Sequence, residues 1–468
     1  MKKLLLILAL LPCLEPTLRA AKPNVLLIIS DDQGYGDFGF NGNKLVQTPN
    51  LDRLASASAV YRNFIVAAAC SPTRCALFTG RDHLLTGVWG VPPRANLRVD
   101  EARMPAFFKA AGYRTLHVGK HDCVTVNKDS PGKFGWDDWL TGGGYQHLDP
   151  TLFGKGSSKK GQGWTCDIWT DYALKFISEK KEQPWFLSLA YFIPHMPWKC
   201  DAKYSAPFLA KGCSASLAEC YGSIAHMDEC IGRLLDAVKG TGQEENTIIA
   251  FVSDNGQTGP DVKRPDRDPH AYIHGEDWDK RNVAHLRGYK ARVFENGIRV
   301  PFLLSWPGHV TAGAREQLGG AEDVLPTLVE LAGISPDAVT HQPWTGVSLV
   351  PSLRQPGLIQ PRPALFRMAI SGDGSPKEEA PTVQDRRFED HHLILRGPRF
   401  KYHSLPRGKA ALYDLQSDPG EVTDVQAQHP DITRSMAVEC RQRWDSVIAS
   451  GRSFAPLPAG QEKTKADE

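Results

Sequence analysis

The fold class of this chain is decided by the stretch Asn24-Val25-Leu26-Leu27-Ile28-Ile29-Ser30-Asp31-Asp32-Gln33-Gly34. Its first half is a nearly continuous apolar run, which is typical of a strand that is covered on both faces. Its second half is polar and ends in glycine, which indicates a turn directly after the strand. Further short apolar runs of this kind lie at residues 115–118, 185–191, 247–252 and 301–306.

Helical patterns separate these predicted strands. Within residues 221–238 the apolar side chains recur with the period of an amphipathic helix. Other helical patterns lie at residues 104–111, 167–179 and 323–332. This alternation predicts an α/β fold in which a large mixed, mostly parallel sheet is sandwiched by helices.

The character of the sequence changes near residue 355. Short strand-like segments at 392–395, 400–403 and 411–415 follow one another closely, and a helical segment follows at 432–447. This order predicts a smaller C-terminal antiparallel sheet plus a helix. We therefore expect a signal peptide at 1–21, a large catalytic α/β domain at 22–354 and a C-terminal α+β subdomain at 355–468.

The N-terminus predicts export. Lys2-Lys3 precede an apolar run at residues 4–11, and the small residues Ala20-Ala21 follow, in the order of a cleaved secretory signal. The run is too short to span a bilayer. We therefore expect an exported protein, periplasmic or extracellular, without stable membrane insertion. Lipidation at Cys13 stays open, although Pro12 suits that kind of cleavage poorly.

The composition of the chain excludes several classes of protein. The 468 residues are 41% hydrophobic, and 55 basic against 53 acidic residues give a net charge of +2. The length is sufficient for a large core and for more than one domain. The balanced charge argues against a nucleic-acid coat or a polybasic membrane binder, although a few local cations can still bind a small anion.

Two of the predicted strands run into acidic sequences. The first is followed by Asp31-Asp32, and the strand at 247–252 is followed by Ser253-Asp254-Asn255-Gly256. Ligands bind at the carboxyl ends of parallel strands, and carboxylates that meet there repel unless a cation lies between them. Hard oxygen ligands suit Ca²⁺ or Mg²⁺ and do not suit zinc. A metal site and a pair of ordinary turns are both open interpretations, and the metal site would comprise Asp31, Asp32, Asp254 and Asn255.

A cysteine stands at the start of another predicted helix, in Cys70-Ser71-Pro72-Thr73-Arg74. Ser71 is a good N-cap, proline suits the first helical position, and Gly80 can end the helix. Cys70 would then lie at a helix N-terminus, where the dipole favours anions and where Arg74 could contact the same anion. Taken alone, the pattern favours an ordinary buried cysteine.

The sequence CSPTRCALFTGR at residues 70–81 resembles the signature of the formylglycine-dependent sulfatases, which are arylsulfatase-like members of the alkaline phosphatase superfamily. The resemblance extends over almost the whole chain after the predicted signal peptide. It implies a sulfuric ester hydrolase in which a formylglycine-generating maturation enzyme has converted Cys70 to formylglycine. The further blocks are PNV (23–25) with DD (31–32), TPNLDRLA (48–55), GYRT (112–115) with GK (119–120), PHMP (194–197), SDNG (253–256), RGYK (287–290), ENGIRVP (295–301), LYDL (412–415) and DPGE (418–421).

The resemblance also implies a mechanism. The hydrated formylglycine attacks sulfur through one hydroxyl, and its second hydroxyl then expels sulfate. Ca²⁺ or Mg²⁺, held by Asp31, Asp32, Asp254 and Asn255, favours the ionised form of the attacking hydroxyl. The positive side chains of Arg74, Lys120 and Lys290 surround the sulfonyl oxygens. Lys290 or His195 protonates or stabilises the leaving oxygen.

One part of the family pattern is altered. Sulfatases commonly have Gly-Lys-X-His, whereas this chain has Gly119-Lys120-His121-Asp122, so the histidine comes one residue early. Three explanations are open. A loop shift brings His121 to the site, Asp122 acts as the base, or another group carries out the step of the family's usual histidine. We name His121 as the candidate catalytic residue. Ala291 and Asn296 also stand where the family often has glycine, which affects backbone shape and not chemistry.

Two segments predict the substrate. Residues 143–169 carry Tyr145, His147, Trp164 and Trp169, and residues 259–287 combine basic and aromatic side chains. Such side chains suit a sulfated carbohydrate, although ordinary surface insertions would have a similar composition. An aryl sulfate is the simpler alternative substrate. A phosphodiester or phosphonate monoester hydrolase of the same superfamily and a non-catalytic binding protein are the alternative functions. The second segment carries Lys263, Arg264, Arg267, His270, Tyr272, His274, Trp278 and His285.

Overall fold

The computed structural model describes residues 22–90, 97–98, 100–123, 130–179, 182–260, 273, 275–370 and 387–450. The predicted signal peptide with Cys13 lies outside the described residues, as does the chain from residue 451. Within the described part, none of the helices is both long and apolar enough to cross a membrane.

The described residues form two sheets with helices packed around them. The strands of the first sheet are β1 Asn24–Ser30, β2 Ala59–Ile65, β3 Arg114–Gly119, β4 Asp138–Gly142, β5 Thr151–Gly154, β6 Ser157–Lys160, β7 Trp185–Ala190, β8 Thr247–Ser253, β9 Arg299–Ser305, β10 Gly313–Arg315 and β11 Gly319–Gly320. Those of the second sheet are β12 Leu365–Met368, β13 Leu393–Arg396, β14 Phe400–Leu405 and β15 Lys409–Asp414. The helices are α1 Pro49–Ser56, α2 Cys70–Thr79, α3 Met104–Ala110, α4 Ser130–Phe134, α5 Thr165–Ser178, α6 Ala202–Ala210, α7 Ala215–Gly240, α8 Gly275–Arg281, α9 Glu295–Ile298, α10 Val324–Leu331, α11 Val350–Arg354 and α12 Pro430–Ala449.

The first sheet has the strand order β10-β2-β9-β8-β1-β7-β3-β4-β5-β6, and β11 pairs with β2. Strand β1 lies in its middle and pairs in parallel with both β7 and β8. The sheet is mixed because β9 runs antiparallel to both of its neighbours and the β4, β5, β6 edge is antiparallel. The predicted fold class, a large mixed and mostly parallel sheet with helices, is confirmed.

The two faces of β1 pack into two different cores. Val25, Leu27 and Ile29 lie in a cluster with side chains from α2, α3 and α10. Leu26 and Ile28 face the other way, into a cluster with side chains from α1, α5 and α7. All seven residues of the strand are buried. This burial on both sides is the physical reason for the continuous apolar run that predicted the strand.

Several elements differ from their predicted bounds. Helix α7 begins well before residue 221 because the Ser214 side chain accepts a hydrogen bond from the Leu217 amide and caps the helix there. Helix α5 begins at Thr165, two residues before the prediction. Strands β2, β4, β5 and β6 carried no continuous apolar run. The last of these is exposed along its whole length.

The second sheet is antiparallel, in the order β12-β13-β14-β15, and α12 packs on it through Cys440, Trp444 and Val447. The predicted C-terminal sheet with one helix is therefore confirmed. Helix α11 ends at Arg354 and β12 begins at Leu365, so the proposed domain boundary at 354/355 falls between them. The segment at 371–386 lies outside the described residues.

A buried ionic network joins the second sheet to the first. Glu295, at the start of α9, contacts the guanidinium of Arg396 and the Nζ atom of Lys401, the latter at 3.1 Å. Lys401 also contacts Glu421 at 2.9 Å, and Glu421 accepts a hydrogen bond from the Glu295 amide at 2.6 Å. Because burial is outweighed by the two cations, the pKa of Glu295 lies well below its ordinary value. The network holds the segment between β8 and β9 against the C-terminal sheet.

We expect Glu295→Ala to lower the free energy of unfolding by about 3 kcal/mol, because it leaves Arg396 and Lys401 buried without their shared partner. Chemical denaturation measures this. The control is Asp236→Ala, which removes the exposed ion pair with Arg53 at 2.9 Å and should cost at most about 1 kcal/mol. Equal effects of the two substitutions would contradict the assignment.

Candidate active site

The acidic sequences after β1 and β8 meet at one edge of the sheet. Ser30 lies opposite Ser253 in the parallel register, so the residues that follow are neighbours. The amide of Asp254 donates to the Ser30 carbonyl at 3.1 Å, and the amide of Asp32 donates to Asp254 Oδ1 at 3.1 Å. Asp32 has a φ of 62°, a left-handed conformation that aspartate tolerates better than most side chains. The structure thus brings the four predicted metal-ligating residues together.

Each of the three carboxylates is paired with a basic side chain. Lys120 Nζ lies 2.7 Å from Asp31 Oδ2. Lys290 Nζ donates to both oxygens of Asp32, at 2.7 and 2.9 Å. Arg74 donates through Nε and Nη2 to Asp254 Oδ2, at 2.9 and 2.8 Å. The three basic residues that the sulfatase pattern places around a sulfate therefore lie in the same cluster.

Burial and pairing affect the three carboxylates differently. Burial raises the pKa of Asp254 to about 7, and the nearby charge of Asp31 adds to this effect. Burial also raises the pKa of Asp31 above its ordinary value, against the opposing charge of Lys120. At Asp32 burial is outweighed by Lys290, and the pKa lies below its ordinary value. Burial therefore makes the negative charge of the cluster energetically unfavourable, and a bound cation would stabilise that charge.

The residues present fit a hard divalent cation. Asp31 Oδ1 and Asn255 Oδ1 are buried and have no hydrogen-bond partner among the described residues. The amide of Asn255 is oriented by its donation to Asp32 Oδ1 at 2.7 Å, which leaves the amide oxygen for another ligand. Three carboxylates and an amide oxygen are the donors that Ca²⁺ or Mg²⁺ prefers. These four residues could therefore hold such an ion.

Cys70 lies beside this cluster as the first residue of α2. Its Sγ atom and carboxylate oxygens of Asp31 and Asp254 lie within 4.8 Å of one another. Burial raises the pKa of the Cys70 thiol to about 12. The prediction that Ser71 caps the helix is wrong. The helix begins at Cys70, two residues before the predicted start, and its N-cap residue Ala69 has no side chain that could cap it. Gly80 ends the helix as predicted, in a left-handed conformation with φ of 70°.

Asp122, and not His121, contacts the site. Asp122 Oδ2 lies 3.1 Å from Lys120 Nζ, and its carboxylate is within hydrogen-bonding reach of the Cys70 thiol. Although burial opposes it, Lys120 lowers the pKa of Asp122 below its ordinary value. Asp122 has a φ of 54°. With this left-handed backbone, the side chains of His121 and Asp122 point in different directions.

His121 lies in an aromatic cluster within the core. Its ring stacks on Phe78 with an interplanar angle of 10° and meets Phe134 edge-on at 4.4 Å. Neither ring nitrogen has a hydrogen-bond partner among the described residues, and burial lowers the pKa of His121 to about 3. The structure therefore does not bring this predicted catalytic side chain into the carboxylate cluster.

His195 borders the cluster together with Tyr145. The Nε2 atom of His195 lies 3.8 Å from Asp32 Oδ2, and its ring stacks on Tyr145 with centroids 3.9 Å apart. The Tyr145 hydroxyl accepts a hydrogen bond from Lys120 at 3.0 Å. Tyr145 and Thr258, which donates to Asp32 Oδ2 at 2.9 Å, were not predicted as site residues. Tyr145 stood only among the substrate-facing aromatics, and Thr258 gave no signal beyond its closeness to Asp254.

The backbone around Lys290 is held closely against the end of β8. A Cβ atom on Gly256 would lie 1.8 Å from the carbonyl oxygen of Asn296, so only glycine fits there. The amide of Lys290 donates to the Gln257 carbonyl at 2.8 Å. Ala291 has a φ of 71°, which explains why the sulfatase pattern often has glycine at this position. These contacts fix the base of the Lys290 side chain.

A cleft of about 230 Å³ opens beside the cluster and is lined by Lys120, Asp122, Tyr145 and Phe192 among others. Among the predicted substrate-facing side chains that the structure describes, Tyr145 contacts Lys120 and His195. Trp169 packs in the core against Phe192 and also lines the cleft. His147 is buried, and its ring is hydrogen-bonded to the Pro197 carbonyl. Of the second predicted segment, residues 261–272 and 274 lie outside the described residues.

Comparisons with known proteins show which family the chain resembles in sequence. The sequence model of the sulfatase family matches residues 23–334. Human N-acetylgalactosamine-6-sulfatase is 31% identical over 380 residues, which cover 74% of this chain and 68% of the relative. Human arylsulfatase A is 28% identical over 448 residues, which cover 86% of this chain and 83% of the relative.

A solved structure supports the fold. The crystal structure of Ps i-CgsB in complex with k-i-k-neocarrahexaose superposes with a TM-score of 0.74. The two proteins are 24% identical, and the match covers 90% of this chain and 93% of that one. At this identity the similarity shows the fold alone.

We expect Asp31→Asn to weaken Ca²⁺ binding by at least about 10-fold, since it removes one of the charged donors of the cluster. The fold should persist because Lys120 keeps its contact with Asp122. Isothermal titration calorimetry of the full chain measures the affinity. Asp228→Asn is the matched control, because Asp228 is equally buried but accepts backbone hydrogen bonds from Asn50 and Leu51. Unchanged affinity in Asp31→Asn would contradict the proposed ligand set.

Proposed function

Because the chain belongs to the sulfatase family and is a sulfuric ester hydrolase, we propose that it is an exported enzyme that hydrolyses sulfate esters of carbohydrates. In this proposal residue 70 is the nucleophile after its conversion from cysteine to formylglycine. The observation that carries the proposal is the closeness of Cys70 to Asp31 and Asp254, with donor atoms within 4.8 Å of one another.

Two groups that the chain would acquire complete the chemistry. Formylglycine supplies a nucleophilic hydroxyl and, after transfer of the sulfonyl group, a route for releasing sulfate that a thiol lacks. Ca²⁺ or Mg²⁺, held by Asp31, Asp32, Asp254 and Asn255, supplies positive charge that favours the ionised hydroxyl. Burial raises the pKa of the unmodified thiol to about 12, so an unconverted Cys70 would be a poor nucleophile at neutral pH.

Asp122 is suited to hold a proton from residue 70. Its carboxylate contacts the side chain of residue 70, and Lys120 keeps its pKa below the ordinary value, so it is ionised at neutral pH. It therefore accepts a proton and does not donate one. Asp122 occupies the sequence position at which the sulfatase pattern usually has histidine, and we assign the role of that histidine to it.

Lys290 is better suited than His195 to stabilise the leaving oxygen. Burial acts to lower the pKa of Lys290, but the negative charge of Asp32 outweighs this effect and raises the pKa above its ordinary value. The ammonium group therefore stays charged. Its side chain is 20% exposed, the most of the three basic groups. Burial lowers the pKa of His195 to about 4, so its ring is neutral near pH 7. A neutral His195 can orient a group or accept a hydrogen bond, while Lys290 stabilises the developing negative charge.

The three basic side chains would serve the sulfate as well as the carboxylates. Arg74, Lys120 and Lys290 each neutralise one carboxylate in the structure. A divalent cation on those carboxylates would take over part of this neutralisation. The basic groups would then be available to the three sulfonyl oxygens, whose charge they stabilise during transfer.

Two observations support a carbohydrate substrate. The human relative at 31% identity is named for the 6-sulfate of N-acetylgalactosamine. In this chain the cleft beside Lys120 is walled by Tyr145 and Phe192, and such rings pack against the apolar face of a sugar. The charged, apolar and small-residue order at the N-terminus supports export, which would bring the enzyme to polysaccharides outside the cell.

Matched esters test the proposed reaction. We expect kcat/KM for N-acetylgalactosamine 6-sulfate to exceed both that for N-acetylgalactosamine 6-phosphate and that for 4-nitrophenyl sulfate. The first comparison tests the sulfate ester against the phosphate chemistry of the wider superfamily, and the second tests the sugar. Faster turnover of the phosphate would overturn the proposed reaction. Faster turnover of the aryl sulfate would overturn the proposed substrate class alone.

Substitutions at adjacent positions test the role of Asp122. We expect Asp122→Asn to lower kcat by about 10²-fold, because the amide cannot accept the proton. The matched variant His121→Phe should retain kcat, since phenylalanine fits the stack with Phe78 and Phe134. Steady-state kinetics on a sulfate ester measures both, and circular dichroism checks the fold. Loss of kcat in His121→Phe with normal kcat in Asp122→Asn would return the role to His121.

A further inference from the structure

A second cluster of metal-ligating side chains lies between α5 and α7, in the opposite core from Cys70. Cys166 comes from the first turn of α5, and His226 and Cys230 lie one turn apart on the same face of α7. One donor atom from each lies within 4.8 Å of the others, and all three residues are buried. Neither the sulfatase reaction nor the carboxylate cluster uses them.

Asp167 contacts two members of this cluster from beside it. Its Oδ2 atom lies 3.0 Å from His226 Nε2, and its Oδ1 atom lies 3.5 Å from Cys230 Sγ. The two sulfur atoms of Cys166 and Cys230 are 3.4 Å apart. Two sulfur ligands on a tetrahedral ion with bonds of about 2.3 Å are about 3.8 Å apart. The sulfur atoms are therefore within a few tenths of an ångström of the separation that a shared ion requires.

We propose that Cys166, His226 and Cys230 form a zinc site that joins α5 to α7. Two sulfurs and one imidazole suit Zn²⁺, whereas the oxygen-rich cluster near Cys70 suits Ca²⁺ or Mg²⁺. The inference does not depend on the proposed sulfatase substrate. Three protein ligands leave one position of the tetrahedron for a water molecule.

The surroundings of the cluster suit a bound ion. Tyr204 stacks on the His226 ring at 4.4 Å, and Trp164 meets the same ring edge-on at 6.1 Å, so aromatic side chains cover the imidazole. Arg233 contacts Asp167 at 3.2 Å. Two thiolate ligands would balance the charge of Zn²⁺, and Arg233 balances the charge of Asp167 beside them. The Asp167 side chain is 40% exposed, which provides an entry path for the ion.

Zinc binding and disulfide formation are the two chemistries open to this pair of thiols. Binding of Zn²⁺ would displace the thiol protons of Cys166 and Cys230 to solvent, with no change of oxidation state. The alternative chemistry is a disulfide, which would need an oxidant and would join the two sulfurs at about 2.05 Å. The contacts of Cys230 with both His226 and Asp167 favour the metal.

The test uses the full chain with Cys70→Ala, which removes the thiol beside the carboxylate cluster. The chain is purified from the exported fraction without chelator or reductant. We expect about one Zn²⁺ per chain after dialysis, and below about 0.1 when Cys166→Ala or Cys230→Ala is added. Cys220→Ala is the matched control, because Cys220 is fully buried on the same helix but outside the cluster. It should keep the full zinc content.

Cobalt provides a readout that does not depend on the variants folding. Replacement of zinc by Co²⁺ in the Cys70→Ala chain should give thiolate-to-cobalt charge-transfer absorption together with the d–d bands of a tetrahedral ion. Absence of these bands would overturn the proposal. So would a cross-linked peptide pair containing residues 166 and 230 in the mass spectrum of the untreated protein, or unchanged zinc content in Cys230→Ala.

Discussion

Three carboxylates buried side by side at the ends of β1 and β8 are the constraint on which the rest of the site depends. The parallel register places Ser30 opposite Ser253, so Asp31, Asp32 and Asp254 cannot avoid one another. Burial makes their charge costly, and each is paired with Lys120, Lys290 or Arg74. These basic side chains come from three separate elements of the chain, and the need for charge balance fixes where they lie. The proposed binding of an anionic sulfate ester beside a divalent cation rests on the same balance.

The C-terminal sheet contributes to this balance from a distance. Lys290 lies on the segment that leads from β8 to β9, and the same segment carries Glu295, whose charge is balanced by Arg396 and Lys401 of the second sheet. Arg287, three residues before Lys290 on this segment, donates to the Glu421 carbonyl at 2.9 Å. The C-terminal part of the chain therefore holds the backbone that carries the most exposed of the three basic groups.

The sequence predicted those parts of the fold whose signals are local. The run from Val25 to Ile29 is apolar because both faces of β1 are covered, and the acidic residues after β1 and β8 meet because parallel strands end at one edge. Sequence could not choose between His121 and Asp122, since the choice depends on a left-handed backbone at Asp122 and on the aromatic space around Phe78. Tyr145 was also beyond reach, because its stack on His195 joins parts of the chain that no local pattern relates.

In the proposed mechanism residue 70 is the nucleophile in the form of formylglycine. Mass spectrometry of the peptide containing residue 70, prepared from the protein of its native host, tests this assignment. We expect the mass of the aldehyde, and a shift to the corresponding adduct after treatment with a hydrazine, while the peptide containing Cys75 keeps its thiol. An unmodified thiol at residue 70 in fully active protein would show that formylglycine is not the nucleophile.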